Sequence, residues 1–297
     1  MKKDVYQIVT DRIIELLESG VNPWHKSWKT GHSSTAPTNH KSKSQYRGIN
    51  HFLLSCAPYK SPFWLTFKQA KELGGKVRKG QKAWPVIFWN WVLIDEAGNR
   101  TKDPEKAKRK VPFLRYYNVF NVEQIDGLNI KSPEPPELTD HQRIQACEKV
   151  ISGYKNAPKI TTAGEQPCYI PSSDEVRMPE MGLFDTPEIY YSIAFHELAH
   201  STGHQSRLNR DGITKKAAFG DSIYSKEELV AEMTAAFLSA HCSIDGDTLD
   251  DSASYLQSWI KVLKGDSKLV VNAAAAAQKA SDHILGVTPK QTTTDGE

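Results

Sequence analysis

The hexapeptide Phe195-His196-Glu197-Leu198-Ala199-His200 constrains this chain more than any other stretch. It has the H-E-x-x-H form, and Ile193, Phe195 and Leu198 around it read as one mostly buried helix. Residues four apart on a helix lie about 40° apart around the axis and one turn along it, so His196 and His200 can reach a single metal ion. Glu197 falls between them, where its carboxylate is better placed to hold and deprotonate a metal-bound water than to join the same coordination sphere. A buried histidine pair beside a glutamate is costly without a partner, which favours a metal centre, with zinc as the first expectation, over a chance match.

Two histidines do not close a zinc site, and a third protein ligand has to come from downstream. His204 would stand about 12 Å along a continuous helix from His196 and cannot converge with the other two, so it is expected near the site and only as an alternative ligand. Ser225-Lys226-Glu227-Glu228 has the form of a capping box that opens the next helix, which gives Glu228 a structural task. Glu232, one turn on, is then free to reach the ion, while Leu229, Met233, Ala236 and Phe237 pack that helix on the metal helix. Glu232 is therefore the expected ligand; Glu228 is the alternative, as ligand or as an acceptor that orients a histidine. Manganese or another divalent ion also suits two histidines and a glutamate. With an amide substrate, Glu197 would take the proton of the attacking water and pass it to the leaving nitrogen. Tyr190, Tyr191, Tyr224 and His204 are candidates to stabilise the oxyanion.

The formal net charge of +3 hides a division between the two halves of the chain. Residues 1–131 carry 23 Lys and Arg against 11 Asp and Glu, a net of +12, whereas the remainder has a net of −9. Six of the seven tryptophans also lie in the first part. A basic, aromatic region of about 130 residues suits phosphate backbones and unpaired bases that stack on rings. Trp24, Lys26, Trp28, Lys29, Tyr46, Arg47, Lys76, Arg78 and Lys79 are the candidate contacts to single-stranded DNA, while Trp84, Trp89 and Trp91 fall in an apolar run and are expected in the core. No helix-turn-helix, zinc finger or RNP pattern occurs, so little sequence specificity is expected.

The periodicities order these signals into an α+β fold of two domains. In the first domain, 1–130, a packing helix spans 4–19 and a capping box at Thr66 opens a helix that ends at Gly74-Gly75. A strand covered on both sides spans Trp84 to Ile94 and pairs in a long hairpin with Val111 to Val122. Residues 131–138 contain Pro133, Pro135 and Pro136 and form a stiff linker. The second domain, 139–285, has a helix from Thr139 to Tyr154, short strands at Lys159–Thr162 and within Cys168–Met178, and the metal helix, capped by Thr186 with Pro187 and ending near Gly203. A C-terminal helix holds Ala273 to Ala277, and residues 286–297 form a flexible tail. No apolar run approaches the roughly 20 residues of a membrane span, and no signal peptide is recognisable at the start. Cys56, Cys147, Cys168 and Cys242 form no C-x-x-C pair, as suits reduced thiols in the cytoplasm.

The combination resembles the ArdC-type antirestriction proteins of conjugative plasmids, whose first domain is similar to the N-terminal part of TraC-type primases. The resemblance is carried in the first domain by Asn22-Pro23-Trp24, Tyr46-Arg47-Gly48-Ile49-Asn50, Leu73-Gly74-Gly75 with Lys79-Gly80, and Tyr117-Asn118-Val119-Phe120-Asn121. In the second it is carried by His196 to His204 and by Glu228-Leu229-Val230-Ala231-Glu232. It implies a single-stranded-DNA-binding domain followed by a zincin-like metallopeptidase domain similar to the ImmA/IrrE group, with a glutamate on the following helix as third ligand. It also implies protection of incoming plasmid DNA from host restriction, with a host restriction-related protein as a possible target. Two other functions fit the residues: a DNA-coating protein whose metal is structural, and a regulatory metalloprotease whose basic domain holds a protein partner.

Overall fold

The structure is a computed structural model that describes residues 4–24, 36–131, 139–214, 222–244 and 253–288, without the side chains of 222–224. Its first part runs α1 (Val5–Glu18), β1 (Thr38–Asn39), α2 (Ile49–Ser55), β2 (Phe63–Thr66), α3 (Phe67–Glu72), β3 (Lys76–Val77), β4 (Trp84–Ile94), β5 (Arg100–Thr101), β6 (Arg109–Asn121) and β7 (Ile125–Asp126). Its second part runs α4 (Asp140–Gly153), β8 (Lys159–Thr162), β9 (Cys168–Ile170), β10 (Glu175–Met178), α5 (Pro187–Ser201), α6 (Asp211–Thr214), α7 (Ser222–Cys242), α8 (Ala253–Gly265) and α9 (Leu269–Leu285). Local chemistry accounts for several of these boundaries. Thr66 accepts from the Gln69 amide at 3.2 Å while the Gln69 side chain takes the Thr66 amide at 2.9 Å, so the capping box forms as the sequence reads. Thr186 caps the Ile189 amide, with Pro187 where its missing N–H costs nothing.

A five-stranded sheet of order β1-β2-β6-β4-β5 forms the first part, and β4 and β6 pair along their whole length from Trp84↔Val119 to Ile94↔Arg109. The second part has a three-stranded sheet of order β8-β10-β9 ahead of α5. Only the inner end of β4 is covered on both faces. Val86 and Ile87 are buried, but Trp89 and Trp91 are 45% and 60% exposed, which overturns their expected place in the core. The reason is that α1 and α2 reach only this inner end, where the buried Asn50 side chain bonds both the N–H and the C=O of Ile87 at 2.8 and 2.7 Å.

The two halves share their largest apolar core. Val9, Ile13 and Leu17 of α1 and Phe52 and Leu53 of α2 pack with Leu229, Met233 and Phe237 of α7, Trp259 of α8 and Val270 and Ala274 of α9. The Phe52 and Phe237 rings lie 4.6 Å apart. A second cluster, with Cys147, Val176, Phe195 and Leu238, belongs to the second part alone. The division in composition at about residue 131 is thus bridged by α1 and α2. The linker segment 132–138 and tail residues 289–297 lie outside the described residues. Among the described residues no helix is long and apolar enough to cross a membrane.

Candidate metal centre

Helix α5 lies against α7, and the metal motif occupies the contact. His196 Nε2 and His200 Nε2 stand 3.1 Å apart, and the Glu228 carboxylate reaches each of them at 3.6 Å. These three groups are the set among the described residues that could hold a metal ion. A tetrahedral ion with bonds of about 2.0–2.1 Å requires donor separations of roughly 3.3–3.4 Å, and the observed spacings bracket that value. The donors are largely withdrawn from water, with the two imidazoles 15% and 12% exposed and Glu228 26%. Glu197, half-buried on the same turn, is the acid next to them in sequence, and its charge acts on His200.

The structure thus brings Glu228, the alternative, to the two histidines as the third group that could hold an ion, and places the expected Glu232 elsewhere. Helix α7 begins at Ser222, so Ser225 lies inside it and the capping box that would occupy Glu228 does not form. Glu232 is buried instead beside α8, where its carboxylate accepts from the Tyr255 hydroxyl at 2.5 Å. Burial, then the charge and hydrogen bond of Glu232, push the Tyr255 hydroxyl up from its ordinary pKa.

Glu227, which the sequence reading did not assign, supports the site from its other side. Consecutive residues point about 100° apart on a helix, so Glu228 meets the Nε2 of His200 while Glu227 lies 3.4 Å from its Nδ1. Arg210 clamps Glu227 with Nε at 2.9 Å and a second nitrogen at 2.5 Å, and also donates to Ala199 O at 2.9 Å. Burial alone would raise the Glu227 pKa, but the bonds to Arg210 and His200 outweigh it and hold the carboxyl below its ordinary value. Burial likewise opposes the charge on His200, yet the Glu227 bond and the charges of Glu228, Glu227 and Glu197 leave it above its ordinary value. A carboxylate on the far nitrogen fixes the ring and its tautomer for a metal on Nε2. The signal for this role was the Glu227-Glu228 doublet, one acid for each ring nitrogen.

The remaining candidates divide sharply. His204 turns to Ser206, 2.7 Å from its hydroxyl, and does not join the donor set. Tyr191 is buried and donates to Glu148, while Tyr190 packs edge-on against Phe184 at 5.3 Å; the Tyr224 side chain lies outside the described residues. Of the proposed DNA contacts, Lys26, Trp28 and Lys29 also lie outside them. Trp24 is buried with its ring 6.0 Å from that of Trp259, and Tyr46 is buried with its hydroxyl pKa pushed up to about 12, so neither offers a face to a base. Arg47 is spent on Asp282 of α9 at 2.5–2.6 Å. Arg78 pairs with Asp126 at 3.3 Å, whereas Lys76 and Lys79 are exposed.

Residues 3–120 match the family described as the N-terminal domain of anti-restriction factor ArdC, and residues 146–276 match the one described as zincin-like metallopeptidase. A DNA primase TraC of Escherichia coli is 34% identical over 303 residues, which take in 98% of this chain; the chain spans 20% of that primase's length. The metal-free crystal structure of the antirestriction ArdC protein from plasmid R388 superposes with a TM-score of 0.73 at 34% identity, over 97% of this chain and 100% of that one. Its Mn(II)-bound form gives 0.71 at 35% identity, over 96% and 98%. With both domain families matched in order and a full-length relative aligned end to end, the chain belongs to the ArdC family of antirestriction proteins, with a zincin-like second domain.

Proposed function

We propose that this chain protects incoming plasmid DNA from host restriction in the cytoplasm. Its basic N-terminal part holds single-stranded DNA with little sequence preference, and its metal centre acts on a host protein. The observation that carries the catalytic half is the convergence of His196, His200 and Glu228, with Glu197 on the same helical turn. These three residues would hold a divalent ion, zinc by preference, and the Mn(II) bound by the R388 relative supports manganese as the other occupant. Such an ion supplies Lewis acidity and lowers the pKa of a water in its open position. Glu197 accepts the proton of the attacking water at its carboxylate and returns it to the leaving nitrogen. Glu227, held by Arg210, keeps His200 in the required orientation.

The test compares wild type with Glu197→Ala for metal content, DNA affinity and protection of transferred DNA in a restricting host. The expected result is unchanged metal and DNA binding with protection lost. Full protection by the variant would overturn the catalytic reading and leave DNA coating as the activity.

A further inference from the structure

Bases of a single strand bind where flat rings stand exposed in a positive field. Among the described residues, three of the four exposed large aromatic side chains stand on one hairpin: Trp89, Trp91 and Tyr116, at 45%, 60% and 44% exposure. The fourth, Phe67, stands apart at the start of α3. Trp89 lies opposite Leu114, Trp91 opposite Pro112 and Ile87 opposite Tyr116. Directly opposed residues share a face and so do alternate ones, so the three rings form one array, with Tyr116 diagonal to Trp89. Along the strand the two tryptophans are about 6.6–6.8 Å apart, roughly twice the rise between stacked bases, which leaves room for a base between or over them.

The charge of the two strands selects the occupant. β4 carries no charged side chain, and β6 carries Arg109, Lys110 and Arg115 with no acid. Lys110, opposite Leu93, is on the same face as the rings and makes no ion pair among the described residues, whereas Arg109 and Arg115, opposite Ile94 and Phe88, lie on the other face, Arg115 over the Phe113 ring at 5.7 Å. A polyanion with flat, stacking bases matches exposed rings beside an unpaired cation, whereas a second copy of this face would bring no negative charge to Lys110. We propose that the outer face of the β4–β6 hairpin is the platform on which single-stranded DNA stacks its bases, with Lys110 on that face meeting its phosphates. This rests on the reading that the N-terminal part binds single strands, and it moves the contact from Trp24 and Tyr46 to rings that the fold leaves open.

The test uses the full chain and a fluorescein-labelled oligothymidylate of about 20 nucleotides, with anisotropy read at several salt concentrations and folding checked by thermal melting. Removing each ring should weaken binding by roughly tenfold, so Trp89→Ala with Trp91→Ala should lose about a hundredfold while keeping the wild-type salt slope. Trp91→Phe, which keeps a ring, should lose less than Trp91→Ala. A double variant that folds and binds like wild type would overturn the platform and leave DNA binding standing elsewhere. A wild type that does not bind the oligonucleotide would overturn both readings. A wild-type dimer dissociated by Trp91→Ala would make the face an interface between copies and would also overturn the proposal.

Discussion

Within six positions of α7, Glu227, Glu228 and Glu232 make three different sets of contacts, and one substitution at each separates them. Glu228→Ala should bring the metal content of purified protein to near zero, measured by atomic emission after dialysis against a trace of chelator. Glu227→Gln should keep the ion but bind it about 10–100-fold more weakly, since it changes the orienting partner and leaves the donors in place. Glu232→Gln should keep full metal affinity and lower stability by about 1–3 kcal/mol in urea titration, because it disturbs the buried bond from Tyr255. An ion lost from the Glu232 variant and kept by the Glu228 variant would reverse the assignment.

At the scale of elements, the site depends on how closely its neighbours approach α7. Gly212 of α6 leaves no room for a side chain: a Cβ there would come within 2.6 Å of the Glu227 Cβ. Gly212→Ala should therefore displace Glu227 and weaken metal binding without touching a donor, which calorimetric titration with zinc would measure against wild type. The hairpin has a comparable dependence on one side chain. Asn50 satisfies the free inner edge of β4, and Asn50→Ala would leave the Ile87 N–H and C=O without those bonds. A loss of about 2–3 kcal/mol in unfolding free energy is expected, with metal affinity unchanged.

At the scale of the whole molecule, the two halves stand or fall together. Cutting the chain near residue 135 would expose Phe52 and Leu53 on one side and Leu229 and Phe237 on the other. Each fragment should then bind a hydrophobic dye and resist proteolysis less than the intact protein. His51 adds a pH dependence at the same junction, where it packs edge-on against Phe237 at 5.4 Å and burial pushes its pKa down to about 4. The unfolded chain takes up this proton below pH about 6.5, but the folded chain resists it until about pH 4, so stability falls with pH across that window. The loss is up to about 3 kcal/mol, and His51→Phe should flatten the decline in urea midpoint between pH 7 and pH 5.

The part of this fold that is legible in the sequence is local. The helical spacing of His196 and His200, the capping at Thr66 and Thr186, and the β4–β6 hairpin all follow from neighbours within a few positions, and each formed as expected. So did the basic and acidic halves, which any fold of this chain must carry. Tertiary structure alone decided which carboxylate faces the histidines, because Glu228 and Glu232 share nearly one helix face. The choice between them depends on how α7 lies along α5 and on Tyr255, 23 residues further on, taking the other acid. It also decided which aromatic rings are open to solvent. Trp24 is covered by Trp259, distant in sequence, whereas Trp91 stays 60% exposed among the described residues, beyond the inner end of β4 that α1 and α2 cover. Exposure depends on partners far along the chain, and no local pattern of apolar residues contains that information.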